Sequence, residues 1–417
     1  MSNGIPSKVI AAVIGGAWGG AIAGLAEAAL ITATSPPEEL WLFPFGIVAY
    51  GCFGAAVGSI VATAVALWRG RQPFDSGAAA AAVALFAFSV VVGRYHLMQR
   101  IFREDLPLGS PVGVAVHAAL IAAALVVAIA VYLVLRRSAI SKRPAVAALL
   151  LLLAGAAASA AAAIASSGSA AAAPARHASA GDRPSAILII ADTLRADSVA
   201  QRVASRPDGG LARLARDGVY FREGYAQSTW TRPSVATLLT SLYPSQHGTV
   251  QKMQPLPDDV TTIAEVFGEA GYWTAAFVSN INVAPIFNFQ QGFGEYHYLS
   301  PSFYFGATDS ATRLAIYKGL RLMRERLCRE RIYFENYYQD AAVLIRAVTD
   351  WLGAAPPAPF FLLVHFMDPH DPYFEIPYNG HGVARVNNPN PAAQRAGEMR
   401  ALYEENIDYF DDQLLAL

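Results

Sequence analysis

The stretch Ser185–Ser198, SAILIIADTLRADS, decides the fold of the second half of the chain. Its apolar residues Ile187–Ile190 run without a break, as in a strand buried on both faces of a parallel sheet. Asp192 follows this run after one alanine, and the carboxyl ends of parallel strands form the crevice in which α/β proteins bind ligands. The stretch therefore predicts an α/β domain with a polar site at the end of its first strand.

Strands and helices alternate after this stretch, which predicts a mostly parallel sheet between helices. Further strands are predicted at Gly271–Asn280 and Pro359–Tyr373, and helices near Leu211–Asp217, Thr262–Ala270 and Asn336–Leu352. Parallel strands end at the same edge of a sheet, so we expect their terminal polar side chains to converge. These side chains are Asp192, Ser279, Asn280, His365, Asp368 and His370.

The first part of the chain has a different composition from the second. Of the 417 residues, 54% are hydrophobic and 15% are charged, which is too apolar for a soluble enzyme of this size. The excess lies before Ser166. The net charge of −1 gives no reason to expect a nucleic-acid partner, and two cysteines, Cys52 and Cys328, are predicted to be unbonded.

Five apolar runs in this first part predict helices that span a membrane, since about 20 residues cross a hydrocarbon core. They are Val9–Ala33, Pro44–Trp68, Gly77–Gly93, Val112–Leu135 and Ala145–Ile164. We expect a transmembrane region with about five helices at residues 1–165 and a flexible Ala/Ser/Pro linker at 166–184. The α/β domain is expected at 185–417, and the lipid bilayer is the first predicted partner.

The loop charges predict the orientation of these helices. Lys8 precedes the first run, and the second and fourth loops carry Arg69 and Arg71, and Arg136 and Arg137. This alternation predicts a multi-pass protein of the cytoplasmic membrane with its N-terminus inside. After five crossings the C-terminal domain would lie on the extracellular or periplasmic side. The Ala-, Arg- and Gly-rich composition is typical of a bacterium.

Two ionisable groups, Glu27 and His117, fall within the apolar runs. Such groups serve a proton relay or a substrate path in some proteins. Each stands alone along its run, which favours a hydrogen bond between helices or a position near enough to the membrane surface to be hydrated. The small residues around Gly16 and Gly20 favour close helix packing.

The stretch Ser228–Gly248, STWTRPSVATLLTSLYPSQHG, begins a predicted helix at Thr231. The start of a helix offers unpaired N–H groups and partial positive charge, which suit an anion. Thr231 is interpreted as a nucleophile; the alternative is that it is the N-cap residue of the helix. Asp192 is interpreted as a metal ligand, with a cap of its own turn as the alternative.

Three stretches together resemble the sulfatase family of the alkaline phosphatase superfamily. They are ILIIADTLRAD (Ile187–Asp197), WTRPSVATLLTSLYPSQHG (Trp230–Gly248) and HFMDPHDPY (His365–Tyr373). The resemblance extends from Arg183 to the end of the chain. It implies a membrane-anchored hydrolase or transferase that acts on anionic sulfate or phosphate esters.

The resemblance assigns roles to five side chains. Thr231 takes the position of the nucleophile, and Asp192 that of a metal ligand on the first strand. His370 would contact the transferred group as a catalytic and substrate-binding residue, while Asn280 and Asp368 would bind substrate; the alternative for Asp368 is that it begins a turn with the following proline. A divalent ion held by Asp192 and Thr231 is implied; Mn²⁺, Zn²⁺, Ca²⁺ and Mg²⁺ all remain open.

Threonine at position 231 differs from the Cys or Ser that sulfatases oxidise to formylglycine. An unmodified threonine resembles the lipoteichoic-acid synthases and phosphoethanolamine transferases, which are also membrane-anchored. Two further positions depart from the family pattern: Val235 stands where an Arg is usual, and Ala191 where an acid is usual.

The Asp-His-Gly strand that supplies further metal ligands in the family does not occur in this sequence. We therefore expect the C-terminal part of the catalytic domain to be missing, in a truncated product or a segment of a longer protein. Asp411 and Asp412 are expected on a solvated helix face. The alternative function is a non-catalytic membrane protein whose incomplete domain binds an anionic envelope polymer or a partner.

Overall fold

The structure is a computed structural model that describes residues 5–34, 39–67, 75–102, 106–107, 109–137, 183–252, 254–328, 332–379, 382–383 and 393–417. The predicted fifth span and residues 166–182 of the predicted linker lie outside these ranges. The chain divides into two units. The first unit holds four long helices together with residues 307–321, and the second holds the α/β domain.

The first unit contains four helices that are long and apolar enough to cross a membrane. They are α1 (Ile5–Thr34), α2 (Leu42–Leu67), α3 (Ser76–Arg100) and α4 (Pro111–Leu135). The four helices correspond to the first four predicted spans. Cys52 of α2 is free and exposed, as predicted, and so is Cys328 in the second unit.

Glycines on α1 allow its neighbours to approach within backbone contact. A Cβ atom at Gly20 would lie 2.0 Å from the carbonyl oxygen of Tyr50 on α2, and one at Gly15 would lie 2.0 Å from that of Gly77 on α3. A larger residue at either position would force the helices apart. This would weaken their association, because helices in lipid associate by close packing. The predicted role of these small residues is confirmed.

Glu27 is fully buried in the first unit and forms three hydrogen bonds. It accepts one from the Tyr50 hydroxyl (2.5 Å) and one from the backbone N–H of Ala315 (2.8 Å), and it pairs with Nε2 of His96 (2.8 Å). The expectation of bonds between helices is therefore correct. His117 instead contacts the carbonyl of Gly113 on its own helix, with Nδ1 2.6 Å from the oxygen.

The α/β domain is built on a four-stranded parallel sheet in the order β1-β4-β2-β3. The strands are β1 (Ala186–Ala191), β2 (Trp273–Val278), β3 (Glu295–Tyr298) and β4 (Phe360–Phe366). A separate antiparallel pair joins β5 (Tyr373–Phe374) to β6 (Gly382–Val383). The predicted strand Pro359–Tyr373 is too long, because its second half is the loop after β4.

Helices cover both faces of this sheet. The helices of the second unit are α5 (Ala196–Ser205), α6 (Gly210–Asp217), α7 (Thr231–Thr240), α8 (Pro244–His247), α9 (Ile263–Glu269), α11 (Ala341–Gly353) and α12 (Ala396–Leu414), whereas α10 (Ala315–Leu327) begins within residues 307–321 of the first unit. The core on one face joins β2 and β4 to α11 and α12, while the core on the other joins them to α7. Alternation along β4 explains this division: Leu362, Val364 and Phe366 pack on the first face and Leu363 on the second.

The prediction for Asp411 is wrong. This carboxylate is fully buried; it accepts a hydrogen bond of 2.7 Å from the N–H of Leu211 at the start of α6, and it lies 3.3 Å from Arg206. An acidic residue is buried here because it satisfies an orphan N–H and meets a cation. Asp412 is exposed, as expected, and its carboxylate pairs with Arg206.

Candidate functional site

The ends of three adjacent strands form the site, as the sequence predicts. β4 lies between β1 and β2, and His365 is in register with Ile190 of β1 and with Val278 of β2. His365 and Leu363 share a face of β4, since side chains alternate along a strand. Leu363 packs in the same core as residues of α7, so His365 faces the side of the sheet on which that helix lies.

The carboxylate of Asp192 is the centre of the site. Its Oδ2 accepts hydrogen bonds from the hydroxyl of Thr231 (2.9 Å) and from the amide Nδ2 of Asn280 (2.8 Å). Nε2 of His365 lies 3.5 Å from the same oxygen. Thr231 and Asp192 are each 8% exposed, Asn280 is 3% exposed and His365 is 1% exposed. The three strand ends and the start of α7 therefore share one nearly buried cluster.

Thr231 is the first residue of α7, and its side chain does not cap the helix. Trp230 holds the N-cap position with extended backbone angles (φ −145°, ψ 159°), and no side-chain cap bond is formed. The Thr231 hydroxyl donates to Asp192, whereas an N-cap hydroxyl accepts from a backbone N–H. The alternative interpretation of Thr231 as a cap therefore does not describe this hydroxyl.

Arg232, the next residue, is a buried cation that the sequence reasoning missed. Its guanidinium donates to the carbonyl oxygens of Asn282 (3.2 Å), Gln251 (3.1 Å) and Lys252, and it lies over the ring of Phe287 at 3.4 Å from the centroid. Burial lowers its pKa to about 9, which leaves it charged at neutral pH. Among the described residues no carboxylate lies within ion-pair distance of this group.

The bonds of Arg232 fix the start of α7 to the loop that carries Asn280. Asn282 accepts from Arg232 through both its backbone and its side chain, and its N–H donates to Oδ1 of Asn280 at 2.8 Å. Thr231 and Asn280 are thus held by one set of bonds. The signal in the sequence was a charged residue directly after Thr231 at a helix start.

The imidazole of His365 is buried. Burial lowers its pKa; the Asp192 carboxylate opposes this effect and His370 adds to it. Neither ring nitrogen has a hydrogen-bond partner within the described chain. A buried imidazole without a partner is unfavourable, unless a ligand satisfies it. His370 lies close enough to influence the pKa of His365 electrostatically.

The two other predicted residues of this loop have distinct surroundings. Nδ1 of His370 lies 2.5 Å from the carbonyl oxygen of Asp371, and the side chain is half-buried. Asp368 accepts a hydrogen bond of 2.9 Å from the N–H of Ala341, the first residue of α11. No hydrogen bond joins Asp368 to the cluster around Asp192 in the described residues.

The loop after β1 has an unusual backbone that positions Asp192. Thr193 has a φ of +57°, a left-handed conformation that is rare for a β-branched residue and costs about 1–3 kcal/mol. Tyr403 of α12 stabilises this turn, since its hydroxyl donates to the carbonyl of Thr193 (2.9 Å) and accepts from the N–H of Arg195 (3.0 Å). The strain lies next to the central carboxylate.

Other residues of the motifs have structural roles, as expected. Arg195 and Asp197 form an exposed ion pair with two hydrogen bonds of 2.9 and 2.8 Å. His247 is buried; its Nδ1 accepts from the N–H of Thr249, and its Nε2 lies 3.2 Å from the Thr237 hydroxyl. These contacts hold the turn that ends the stretch Ser228–Gly248.

The cluster contains donor groups of the kinds that the divalent ion implied by the resemblance would take. Asp192 offers a carboxylate, Thr231 a hydroxyl and His365 an imidazole nitrogen without a partner, all of them ligand types that divalent metals accept. Three donors are fewer than the four or more that zinc, calcium and magnesium take. The described ranges contain no group of three or more His, Cys, Asp or Glu side chains arranged for a metal.

Comparison with known proteins identifies a family and two similar proteins. The profile of the sulfatase family matches residues 184–417. An arylsulfatase of Klebsiella aerogenes is 26% identical over 219 residues, which cover 47% of this chain and 45% of that protein. A phosphonate monoester hydrolase of Agrobacterium radiobacter, known from a crystal structure, is 19% identical with a TM-score of 0.38. That alignment covers 56% of this chain and 58% of the hydrolase. The chain thus spans about half the length of the proteins it resembles.

Proposed function

This chain belongs to the sulfatase family through residues 184–417, and we propose that it is a membrane-anchored hydrolase or transferase of sulfate or phosphate esters with Thr231 as its nucleophile. One observation carries the proposal. The hydroxyl of Thr231 donates at 2.9 Å to a nearly buried carboxylate, Asp192, at the start of a helix.

The contact between Thr231 and Asp192 suits the attack of a hydroxyl on an anionic ester. An alcohol becomes a good nucleophile only when a base or a metal removes its proton. Asp192 lies within the hydrogen-bond distance that a general base requires. Its bond to Asn280 fixes the orientation of the carboxylate, so the hydroxyl is held at the site before substrate binds.

The start of α7 provides positive potential for the ester. The first N–H groups of a helix point out of its end and carry a partial positive charge. The buried charge of Arg232 adds to this potential, because no carboxylate of the described chain neutralises it. A sulfate or phosphate group beside Thr231 would therefore be attracted to the nucleophile.

His370 is proposed to exchange a proton with the leaving group. The carbonyl of Asp371 can only accept, so Nδ1 of His370 carries a proton and Nε2 is left for exchange. Asp192, Thr231 and His365 would hold the divalent ion of the family. When bound, such an ion lowers the pKa of a coordinated hydroxyl and offsets the charge of ester oxygens.

Thr231 favours phosphoryl transfer over sulfate hydrolysis within this proposal. Threonine has a methyl group on Cβ, so oxidation would give a ketone rather than the aldehyde of formylglycine. The hydroxyl itself is therefore the proposed nucleophile. Asn280, His370 and Asp368 are proposed to bind substrate, as the resemblance implies.

The four apolar helices make a membrane anchor plausible. With the positive charge of the loops, and with a fifth crossing at Ala145–Ile164, which lies outside the described residues, we place the N-terminus in the cytoplasm and the catalytic domain outside. An accessibility experiment tests this placement. A membrane-impermeant thiol reagent applied to intact cells should label the exposed Cys328 if the domain lies outside, whereas an unlabelled Cys328 would place the domain inside.

The catalytic proposal is tested with the full chain in detergent and with added Mn²⁺ or Zn²⁺. Cleavage of an aryl phosphodiester and of an aryl sulfate is measured for the wild type and for Thr231→Ala. We expect the variant to lose activity by at least about a hundredfold, the usual scale for removal of a catalytic group. Equal rates for the two proteins would exclude Thr231, and ester binding without turnover would favour the non-catalytic alternative.

A further inference from the structure

The α/β domain contains a cavity of about 200 Å³ that shares one lining residue, Asp368, with the proposed substrate-binding residues. It lies between the start of α11, the strand β5 and the helix α12. Phe334, Phe374, Tyr378 and Tyr409 line it, together with the carboxylates of Asp340 and Asp368. We call it the aromatic cavity. Its volume is below the ~300–1,000 Å³ of pockets for drug-sized ligands, so its occupant is a small group.

The rings of the aromatic cavity support one another in fixed positions. Phe334 packs edge-to-face on Tyr378 with centroids 4.9 Å apart, and Phe374 packs on both rings at 6.2 and 5.6 Å. Such pairs add stability beyond the burial of their area. The rings thus present a preformed wall, and the faces of aromatic rings attract cations.

Asp368 brings a buried carboxyl group with one unpaired oxygen to this wall. Its side chain is 3% exposed; one oxygen, Oδ1, accepts from Ala341. The other, Oδ2, is buried and has no hydrogen-bond partner. Asp340 is already engaged, since Val343 donates to its Oδ1 and Tyr409 lies 3.4 Å from its Oδ2. In the described residues neither acid has a cationic side chain within ion-pair distance.

The chemistry of the wall selects among occupants. A metal ion prefers several oxygen or nitrogen ligands, and rings supply none. A neutral apolar molecule would leave Oδ2 of Asp368 unpaired, which is costly for a buried group. A group that is both positively charged and covered with CH groups satisfies the rings and the acid together.

We propose that the aromatic cavity binds a small organic ammonium group, with the rings of Phe334, Phe374 and Tyr378 against its carbon atoms and Asp368 as its counter-charge. Thr231, Asp192 and His370 do not line this cavity, so binding of the ammonium group is measured without turnover. A choline-like trimethylammonium group is the natural probe, because it has charge and apolar surface but no N–H donor.

The titration of Asp368 agrees with this geometry. Burial raises its pKa to about 7, and the charge of Asp340 adds to this effect, while the bond from Ala341 opposes it. Tyr338 and Tyr409 are the other titratable groups that interact with it, and their own pKa values are raised by burial. A bound cation favours the ionised acid, so choline should bind more tightly at pH 8 than at pH 6.

Calorimetry on the full chain tests the proposal in a maltoside detergent, which has no ammonium group. Choline is compared with 3,3-dimethyl-1-butanol, its neutral isostere. We expect choline to bind at least about tenfold more tightly, since the shapes match and only the charge differs. Equal affinities, or no binding heat for choline at millimolar concentration, would overturn the proposal.

Variants assign the site to these residues. Asp368→Asn should weaken choline binding about tenfold or more, whereas Asp350→Asn, on the exposed side of the same helix α11, should not change it. Phe334→Leu keeps apolar volume but removes a ring face. The affinity for choline should therefore fall several-fold, while the affinity for the neutral isostere should not fall. Choline binding that survives Asp368→Asn, or that Ca²⁺ displaces, would contradict an organic cation site.

Discussion

Asp368 is expected to make the α/β domain less stable as the pH rises, and Asp368→Asn should remove this dependence. The carboxyl group is buried, and its pKa rises from its ordinary 3.8 to about 7. Between these two values the folded chain keeps a proton that the unfolded chain releases. Stability therefore falls with rising pH, because it falls wherever the native state binds more protons.

The size of the effect follows from the two pKa values. One pKa unit corresponds to about 1.4 kcal/mol, so the rise from 3.8 to about 7 corresponds to about 4 kcal/mol. The stabilising contribution of the protonated acid is complete below pH 3.8 and is lost as the pH passes 7. An asparagine does not titrate and can still accept the bond from Ala341 through its carbonyl oxygen.

The assay is thermal unfolding of the full chain in detergent, followed by tryptophan fluorescence between pH 4.5 and 8.5. The Tm of Asp368→Asn, relative to wild type, should increase across this range by roughly 10 °C, given ~2–4 °C per kcal/mol for a domain of this size. Asp350→Asn should keep a constant offset. If the difference in Tm between Asp368→Asn and the wild type were also the same at every pH, the argument that burial raises the pKa of Asp368 would be refuted.

Three further variants test the supports of the two units. Arg232→Lys keeps the charge but leaves several buried carbonyl groups unpaired, so the domain should lose about 2–4 kcal/mol in denaturant unfolding; the exposed control Arg213→Lys should change by less than about 0.5 kcal/mol. Tyr403→Phe removes both bonds to the strained turn and should cost about 1–3 kcal/mol together with a fall in kcat; an unchanged kcat would separate that turn from catalysis. Glu27→Leu removes three hydrogen bonds and should destabilise the helical unit by about 2 kcal/mol at ~0.6 kcal/mol each, whereas His117→Leu, whose ring bonds its own helix, should have little effect in detergent-induced unfolding. Similar losses of stability for Glu27→Leu and His117→Leu would show that the hydrogen bonds of Glu27 to other helices are not what stabilises the helical unit.

The sequence predicted the centre of the site because local signals coincide there. A continuous apolar run identified β1, and a polar residue follows each of three strands. Parallel strands end together, which placed Asp192, Asn280 and His365 at one edge before any contact was known. The pairing of Thr231 with Asp192 followed from the same reasoning, since the helix that begins at Thr231 lies beside that edge.

Long-range partners were beyond reach of the sequence. Asp411 looked like a solvated acid on an amphipathic helix, but its burial depends on Arg206 and Leu211, about 200 residues away in the chain. Glu27 looked solitary because its partners Tyr50 and His96 lie on other helices. The strand β3 has only four residues, Glu-Tyr-His-Tyr, the shortest run in which alternation of polar and apolar side chains indicates a strand.

Backbone strain also has no signal in a single sequence. Thr193 is β-branched, which favours extended structure, yet its φ is +57°. The grouping of residues 307–321 with the apolar helices is likewise unexpected, because this segment is polar and lies within the sequence of the α/β domain. Three-dimensional packing decides both features.

The most direct test of the account is a search for a covalent intermediate on Thr231. The full chain is mixed with a phosphodiester or aryl sulfate in the presence of divalent metal, quenched in acid and digested, and the peptide that contains Thr231 is examined by mass spectrometry. The account predicts one transferred group on Thr231, formed as an alcohol or phenol leaves: the phosphoryl group that still carries the second ester substituent of the phosphodiester, or the sulfuryl group of the aryl sulfate. The added mass should be absent in Thr231→Val and present in Thr231→Ser. Turnover by Thr231→Val at the wild-type rate, with no modified peptide in any variant, would contradict it.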